Sequence, residues 1–423
     1  MIMSKLKTAV GDMLKLSKYT QYIYKKYKTK KIASDYKIDS MPIPQPVNEN
    51  DEKLRINLVL PTLRRTRVFA GITTAIRFFK AIIDEYGCEA RVIVMNEEVY
   101  DKNLTYIIEG FEYNRKAKRS IIYLNDDKKI SVRKNDVFIL THWKTAYVFL
   151  PVIKWQKKEY LLSNRVGLYL IQDYEPGFEA WSTKYALAES TYSSNPDLIF
   201  AIFNSKELYD YFKKQGYSFK REIFFNPMLN KQLADILNKQ CSKKQSRKKQ
   251  IIIYGRPSEE RNAFEIIRYA LKLWSMNYKD ARNWRLVSLG DWFDNIRLPN
   301  NTIEVHGKVS LDEYAEYMLT SYAGISLMLS PHPSYPPLEM STFGVKTITN
   351  QFANKDLSTF NENIISLRNY TPESISRVLA ELCDDYGKES NGIIRDDSYI
   401  NADSFNQMVK NVEEVINEIL SDG

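Results

Sequence analysis

From Arg55 onward, short apolar runs alternate with stretches of helical periodicity, and beyond a basic block ending at Lys249 the same alternation begins again. Few architectures accommodate such a pattern. Each apolar run reads as a strand buried on both faces, and strands joined through helices lie parallel, so the chain predicts an α/β protein. In the first half, strands are expected at Arg55–Leu60, Ala90–Met95, Val137–Thr141, Gly167–Gln172 and Leu198–Phe203, with a helix over Ile72–Tyr86. In the second half, strands are expected at Gln250–Tyr254, Arg285–Leu289, Ile303–Val305, Gly324–Leu329 and Lys346–Thr349. Helices are expected there at Asn262–Ser275, Leu311–Leu319, Leu338–Phe343, Pro372–Tyr386 and Asp403–Leu420. A single core stops growing near ~250–300 residues. The 423-residue chain is therefore divided as a basic N-terminal helical appendage and linker (1–50), a first α/β domain (51–230), a basic linker (231–249), a second α/β domain (250–400) and a C-terminal helix (401–423).

Composition narrows the function classes. No apolar run approaches the roughly 18 residues of a membrane span, and the lysine-bearing N-terminus lacks the apolar core and cleavage site of a secretory signal. The three cysteines are odd in number and far apart, which fits a reducing, cytoplasmic setting. The three histidines have no metal-ligand spacing, and no Asp-x-Asp pair occurs, so no metal is expected. A formal charge of +9 calls for an anionic partner or a solvated surface. Met13, Leu16, Tyr19 and Ile23 recur at helical spacing among lysines, so residues 1–40 suit peripheral contact with the inner face of a membrane. A helix packed on its own protein fits the same pattern. No nucleic-acid motif accompanies the charge, and no G-x-G-x-x-G follows a strand, which turns the reading away from nucleic acid and from dehydrogenases.

Open parallel sheets bind ligands beyond the carboxyl ends of their strands. In Tyr254-Gly-Arg-Pro-Ser-Glu-Glu-Arg261, Gly255 lets the chain turn while Arg256 and Arg261 offer planar forks suited to a diphosphate. In Val305-His-Gly-Lys308, Lys308 can add a third cation. The stiff loop Ser330-Pro-His-Pro-Ser-Tyr-Pro-Pro-Leu-Glu339 delivers Glu339 to a helix start, where a carboxylate can accept both hydroxyl hydrogens of a ribose. The plainer readings are a solvated loop, a surface lysine and a helix-capping carboxylate. In the first half, His142 and Trp143 follow one strand end. Gln172-Asp-Tyr-Glu-Pro-Gly-Phe178 follows another, making Asp173, Tyr174 and Glu175 candidates for acceptor hydroxyls, with Trp181 free to stack on a sugar. A capped turn with exposed carboxylates explains that segment equally well.

The order Gly255-Arg256, Arg261, His-Gly-Lys-Val, then Pro-rich loop and Leu-Glu-x-x-x-x-Gly-Val resembles retaining glycosyltransferases of the GT-B fold, in which two Rossmann-like domains with parallel sheets face each other across a cleft. Within them the chain looks most like bacterial rhamnosyltransferases of surface (S-layer and O-antigen type) glycan assembly. The resemblance covers roughly residues 55–400. It implies a donor diphosphate held by Arg256 and Arg261, a ribose on Glu339, and Gly71 in a loop near the donor phosphate. Such families often carry a second acidic residue where this chain has Pro331. His332 and Tyr335 occupy that loop instead, and a site lacking the carboxylate suits a deoxysugar.

The reading that follows is transfer of a sugar from a nucleoside diphosphate, dTDP-L-rhamnose above others, to a hydroxyl of a growing, lipid-linked glycan, without a cofactor or metal. Arg256, Lys308 and Asp173 are the expected catalytic residues. Two alternatives remain open: a sugar-nucleotide 2-epimerase or phosphorylase of the same fold, or a non-catalytic basic membrane- or nucleic-acid-binding protein.

Overall fold

The computed structural model describes residues 41, 43–65, 70–95, 104–114, 116–124, 129–179, 181–240, 247–388, 393–394, 397–400 and 403–421. The amphipathic segment within residues 1–40 lies outside them, as do Lys243 and Lys244 of the basic block.

The first domain contains β1 (Gln45–Asn48), β2 (Arg55–Leu60), α1 (Ala70–Tyr86), β3 (Glu89–Val94), β4 (Arg119–Tyr123), β5 (Lys129–Val132) and β6 (Asp136–Leu140). It continues through α2 (Trp143–Glu159), β7 (Gly167–Ile171), α3 (Thr183–Ser193), β8 (Ile199–Phe203), α4 (Lys206–Lys214) and β9 (Arg221–Phe224). Then come α5 (Lys231–Gln240), β10 (Lys248–Gly255), α6 (Phe264–Asn277), β11 (Arg285–Gly290), β12 (Ile296–Arg297) and β13 (Thr302–Gly307). The chain goes on through α7 (Leu311–Thr320), β14 (Ser321–Ile325), α8 (Tyr335–Thr342), β15 (Lys346–Asn350), β16 (Ile364–Leu367) and α9 (Pro372–Asp384), then α10 (Asp397–Ile400) and α11 (Asp403–Leu420).

Two seven-stranded sheets result, in the orders β4-β3-β2-β6-β7-β8-β9 and β12-β13-β11-β10-β14-β15-β16. Every pairing in them is parallel except the two-residue β12 on β13. In each, the order reverses beside a central strand, at β2/β6 and at β10/β14, and such reversals open a crevice at the strand ends. The central strands are apolar throughout because both faces are covered; Ile251, Ile252 and Ile253 of β10 are fully buried.

The chain boundaries differ from the sequence expectation in three places. The proline-rich linker before Arg55 is partly a strand, β1, paired in parallel with β5. It is pinned there by charge: Glu49 reaches Arg55 (3.1 Å) and Arg133 (2.8 Å). Burial alone would raise the Glu49 carboxyl, but the Ser131 hydroxyl and the two guanidinium groups outweigh it and hold it down at about 2. Residues 231–240 are no free linker, because Leu233, Ala234 and Leu237 of α5 pack into the second domain's core. The strand expected at Gly324–Leu329 is β14, which starts and ends earlier, leaving Ser326 onward to a loop. Finally, α11 turns Phe405, Met408, Val412, Val415, Ile416 and Ile419 onto the first domain against α1, a stripe at helical spacing that crosses back from the end of the second domain.

Candidate active site

Both crevices open toward one another. On the second domain, β10 ends at Gly255, where any Cβ would overlap the Ser288 hydroxyl and crowd Phe264, so only glycine lets the strand end pass so close to β11. Arg256 follows. Its Nε lies 3.6 Å from Asp291 Oδ1 and its Nη2 3.4 Å from Glu259 Oε1. Burial opposes its charge, yet Tyr254, Glu259 and Asp291 more than restore it. Arg261 meets the other oxygen of the same carboxylate, Nη1 to Glu259 Oε2 at 3.0 Å. One glutamate thus bridges the two arginines.

Arg261 also reaches across the cleft. Its Nε is 3.9 Å from Asp173 Oδ2, and its guanidinium lies 4.2 Å from the Phe178 ring centre. Asp173 in turn accepts a hydrogen bond from the Ser330 hydroxyl, 157 residues away in sequence. The Gln172-Asp173 step and the Ser330 loop therefore meet face to face.

Two histidines line this junction, one from each domain, and share one arrangement. His332 Nδ1 accepts the Ser334 backbone N–H (3.0 Å), and His142 Nδ1 accepts that of Lys144 (3.1 Å) while capping α2. With Nδ1 accepting, the neutral ring carries its proton on Nε2. Burial first, then Lys144 and Arg261, pushes the His142 imidazolium down to about 3. Burial, opposed by Asp173 and aided by Lys355 and Arg261, pushes His332 down to about 4. Near neutrality both are uncharged Nε2–H donors, suited to giving a hydrogen bond and not to taking a proton. The His332 Nε2 atom is buried with no hydrogen-bond partner among the described residues.

Lys355 is a residue that the sequence reading missed. It is 1% exposed, donates to the Met328 carbonyl (2.7 Å), and burial drives its ammonium down to about 7 against the pull of Asp173 and Glu207. Nothing in the pattern around it signals this. Glu339 keeps part of its surface open, yet the surrounding protein pushes its carboxyl up to about 7 while the Tyr314 hydroxyl draws it back. Tyr335, pushed up to about 12 by burial, faces Thr74 and Arg77 of the first domain.

Three other candidates, Trp143, Tyr174 and Glu175, turn away from the cleft. Trp143 is 1% exposed inside α2 and presents no face to an acceptor. The Tyr174 ring packs with Tyr211 (5.2 Å) and Phe212 (5.6 Å), away from the cleft. Glu175 is no exposed turn carboxylate: it is 4% exposed and accepts a 2.9 Å hydrogen bond from Tyr169. Trp181 is exposed beside Tyr185, their ring centres 4.8 Å apart. Lys308 stands exposed past the end of β13. Gly71 offers its carbonyl to Gln172 Nε2 (3.0 Å), and a Cβ there would make only ordinary contact, so packing does not demand glycine.

The buried Glu175 gives a pH signature. Burial raises its carboxyl to about 8, against hydrogen bonds from Tyr169 and the Trp143 backbone. A raised folded-state value means that the folded protein holds a proton which the unfolded chain has lost. Its contribution is complete below the unfolded value of ~4.3 and disappears as pH climbs through about 8. Thermal melts from pH 5 to 9 should fall in the wild type and fall less in Glu175→Gln, which keeps the amide-sized group without the ionisation. Parallel curves would exclude Glu175 as the source.

The sequence relatives agree with this architecture. The family model for the WsaF N-terminal domain matches residues 55–206, and that for the WsaF C-terminal domain matches residues 249–380. The O-antigen biosynthesis protein RfbC of Myxococcus xanthus is 30% identical over 337 residues, 78% of this chain but 24% of that protein, so the chain spans about a quarter of its relative's length. Among solved structures, a glycosyltransferase from Rickettsia africae superimposes with a TM-score of 0.50 at 14% identity, over 88% of this chain and 100% of that one. Anabaena HepE in complex with UDP-glucose gives 0.51 at 11% identity, over 87% and 99%. At such identities the likeness speaks for the fold, and that fold is GT-B. With the N- and C-terminal domains of one family matched in order across its two Rossmann-like halves, the chain belongs to the WsaF family.

Proposed function

We propose that this protein is a glycosyltransferase that moves a sugar from a nucleoside diphosphate to a hydroxyl of a growing surface glycan, with dTDP-L-rhamnose as donor. The observation that carries the reading is the pair Arg256 and Arg261, bridged by Glu259 beside the reversal point of the second sheet and opposed across the cleft by Asp173. A diphosphate offers these guanidinium groups the same planar oxygen pairs as Glu259, with more charge, so the donor displaces the carboxylate.

As the glycosidic bond to the diphosphate breaks, negative charge grows on the leaving oxygen. Arg256 and Arg261, with Lys308 past the end of β13, stabilise it in place of a metal. Glu339 holds the ribose hydroxyls. His332 and His142, as neutral donors, address sugar oxygens, and Tyr335 supplies an apolar edge that suits the methyl group of a deoxysugar. Since neither histidine is set to accept a proton, the leaving phosphate takes the one released by the acceptor hydroxyl, on the same face of the sugar, and the anomeric configuration is retained. The relative's name, O-antigen biosynthesis protein, supports a surface-glycan acceptor. A lipid-linked acceptor met at the cytoplasmic membrane face, through residues 1–40, completes the proposal.

The test is transfer itself: protein, a glycan acceptor and separate donors (dTDP-rhamnose, UDP-glucose, GDP-mannose), with the product's anomeric configuration read by NMR and each reaction repeated in EDTA. Retained transfer from dTDP-rhamnose, indifferent to EDTA, is the expected outcome. Preference for a hexose donor defeats the rhamnose assignment, and loss in EDTA restored by magnesium defeats metal independence. Isomerised nucleotide sugar formed without acceptor points to an epimerase.

A further inference from the structure

The loop after β11 presents one large apolar side chain to solvent between residues that anchor the loop on either side. Asp291 binds Arg256 Nε (3.6 Å) and the Ser258 backbone N–H (3.0 Å). Phe293 turns inward, its ring 5.1 Å from Phe264. Asn295 accepts the Val305 N–H of β13 (2.8 Å). Between these anchors Trp292 is 74% exposed.

One side of the indole is already taken. It lies against Gly307, at the end of β13, so closely that a Cβ there would overlap the ring; the glycine's φ of +64° adds a second reason that no other residue fits. The ring is thus seated on bare backbone and leaves its remaining surface to solvent. Such a fixed aromatic plane is a stacking platform, and flat heteroaromatic bases stack on one irrespective of their identity.

Its place on the sheet says which base. The strand order β13-β11-β10-β14 puts Gly255 and Arg256 at the reversal point and Trp292 with Gly307 over the β11 and β13 ends. Adjacent strands lie ~4.8 Å apart, so the platform stands about two strand spacings, on the order of 10 Å, from the Arg256 strand. Glu339, the proposed ribose partner, meets Tyr314 of α7, the helix that follows β13, so a nucleoside running from Arg256 past Glu339 heads toward this side. We infer that Trp292, seated on Gly307, is the platform on which the nucleobase of the sugar-nucleotide donor stacks, a role that rests on the donor site proposed above.

Calorimetric titration with dTDP, UDP and inorganic pyrophosphate separates the two ideas, using wild type, Trp292→Ala, Trp292→Phe and Arg256→Ala. Trp292→Ala should weaken both nucleotides by about tenfold or more, the scale of one lost base–aromatic stack, and leave pyrophosphate unchanged. Trp292→Phe should recover most of the loss. Unchanged nucleotide binding in Trp292→Ala, with Arg256→Ala impaired, overturns the platform and leaves the diphosphate site standing. Equal weakening of nucleotide and pyrophosphate also overturns it, since the substitution would then act through Asp291 and Arg256. If the wild type binds no nucleotide, or Arg256→Ala binds as well as wild type, the donor site itself is wrong and the platform falls with it.

Discussion

Arg256→Ala should bind a nucleoside diphosphate about tenfold to a hundredfold more weakly than wild type and turn over about 10²–10³ times more slowly, because a charge-assisted bond contributes ~1.5–3 kcal/mol in the ground state and more where charge develops. The geometry makes the loss hard to compensate. Arg256 sits immediately beyond a strand end whose glycine admits no side chain, so no neighbour can move into its position. The substitution also removes the cation beside Asp291 Oδ1 and Glu259 Oε1, leaving two carboxylate oxygens near the proposed phosphate position. Removal of the cation therefore becomes net repulsion. Arg256→Lys should recover part of the affinity and less of the rate, since an ammonium restores charge but not the planar fork. Calorimetry and steady-state rates check both; equal rates in Arg256→Ala and wild type would remove the diphosphate from this loop.

The largest stability effect belongs far from the cleft. Asp136, fully buried at the start of β6, takes two hydrogen bonds of 2.7 Å from Arg55, one of 3.1 Å from Asn57 and one of 2.9 Å from the Arg133 backbone, with Arg91 Nη2 at 3.6 Å. The single carboxylate is shared by two buried guanidinium groups. Burial already presses the Arg91 guanidinium down to about 10 despite that partner. In Asp136→Ala, Arg91 and Arg55 lose their shared anion, and breaking a buried pair in this way costs ~3–5 kcal/mol. The midpoint of thermal unfolding should drop by about 6–20 °C for a domain of this size. Combining Asp136→Ala with Arg91→Met should cost less than the two single changes added together, as coupled neighbours do. A drop smaller than about 1 kcal/mol in chemical denaturation would show that the cluster is rehydrated at no cost.

How far these features can be read from sequence depends on whether the cause is local. β2, β7 and β10 were legible because a strand buried on both faces has to be an unbroken apolar run. β1 was not, since its prolines suit an edge and its pairing comes from Glu49 meeting Arg55 and Arg133 across the domain. α5 hid among charged residues, its three apolar contacts too few to stand out beside the basic block. At the site, strand-end logic points to Arg256, Arg261, His332 and Glu339 as candidates, because in a parallel sheet the residues past the strand ends follow from chain order. The same logic could not tell which way a side chain turns. Asp173 reaches the cleft while Tyr174 and Glu175, its immediate successors, turn into an aromatic interior, and alternation alone does not choose between them. Lys355 and the Asp173–Ser330 contact depend on two segments brought together only by the finished fold.

The crossing of α11 back onto α1 bears on how the protein is made. The stripe Phe405–Ile419 covers part of a surface built from residues 70–86, so the first domain is completed only after the second has been synthesised. At ~5–20 residues per second, the stretch between Tyr86 and Asp403 takes roughly 15–65 s to translate. Throughout that interval the strip of α1 that α11 will cover stays open to solvent, while the rest of its apolar side packs on β2. A chain halted before Asp403 keeps that strip of α1 open, so the first domain's stability depends on a helix that follows the whole second domain in sequence.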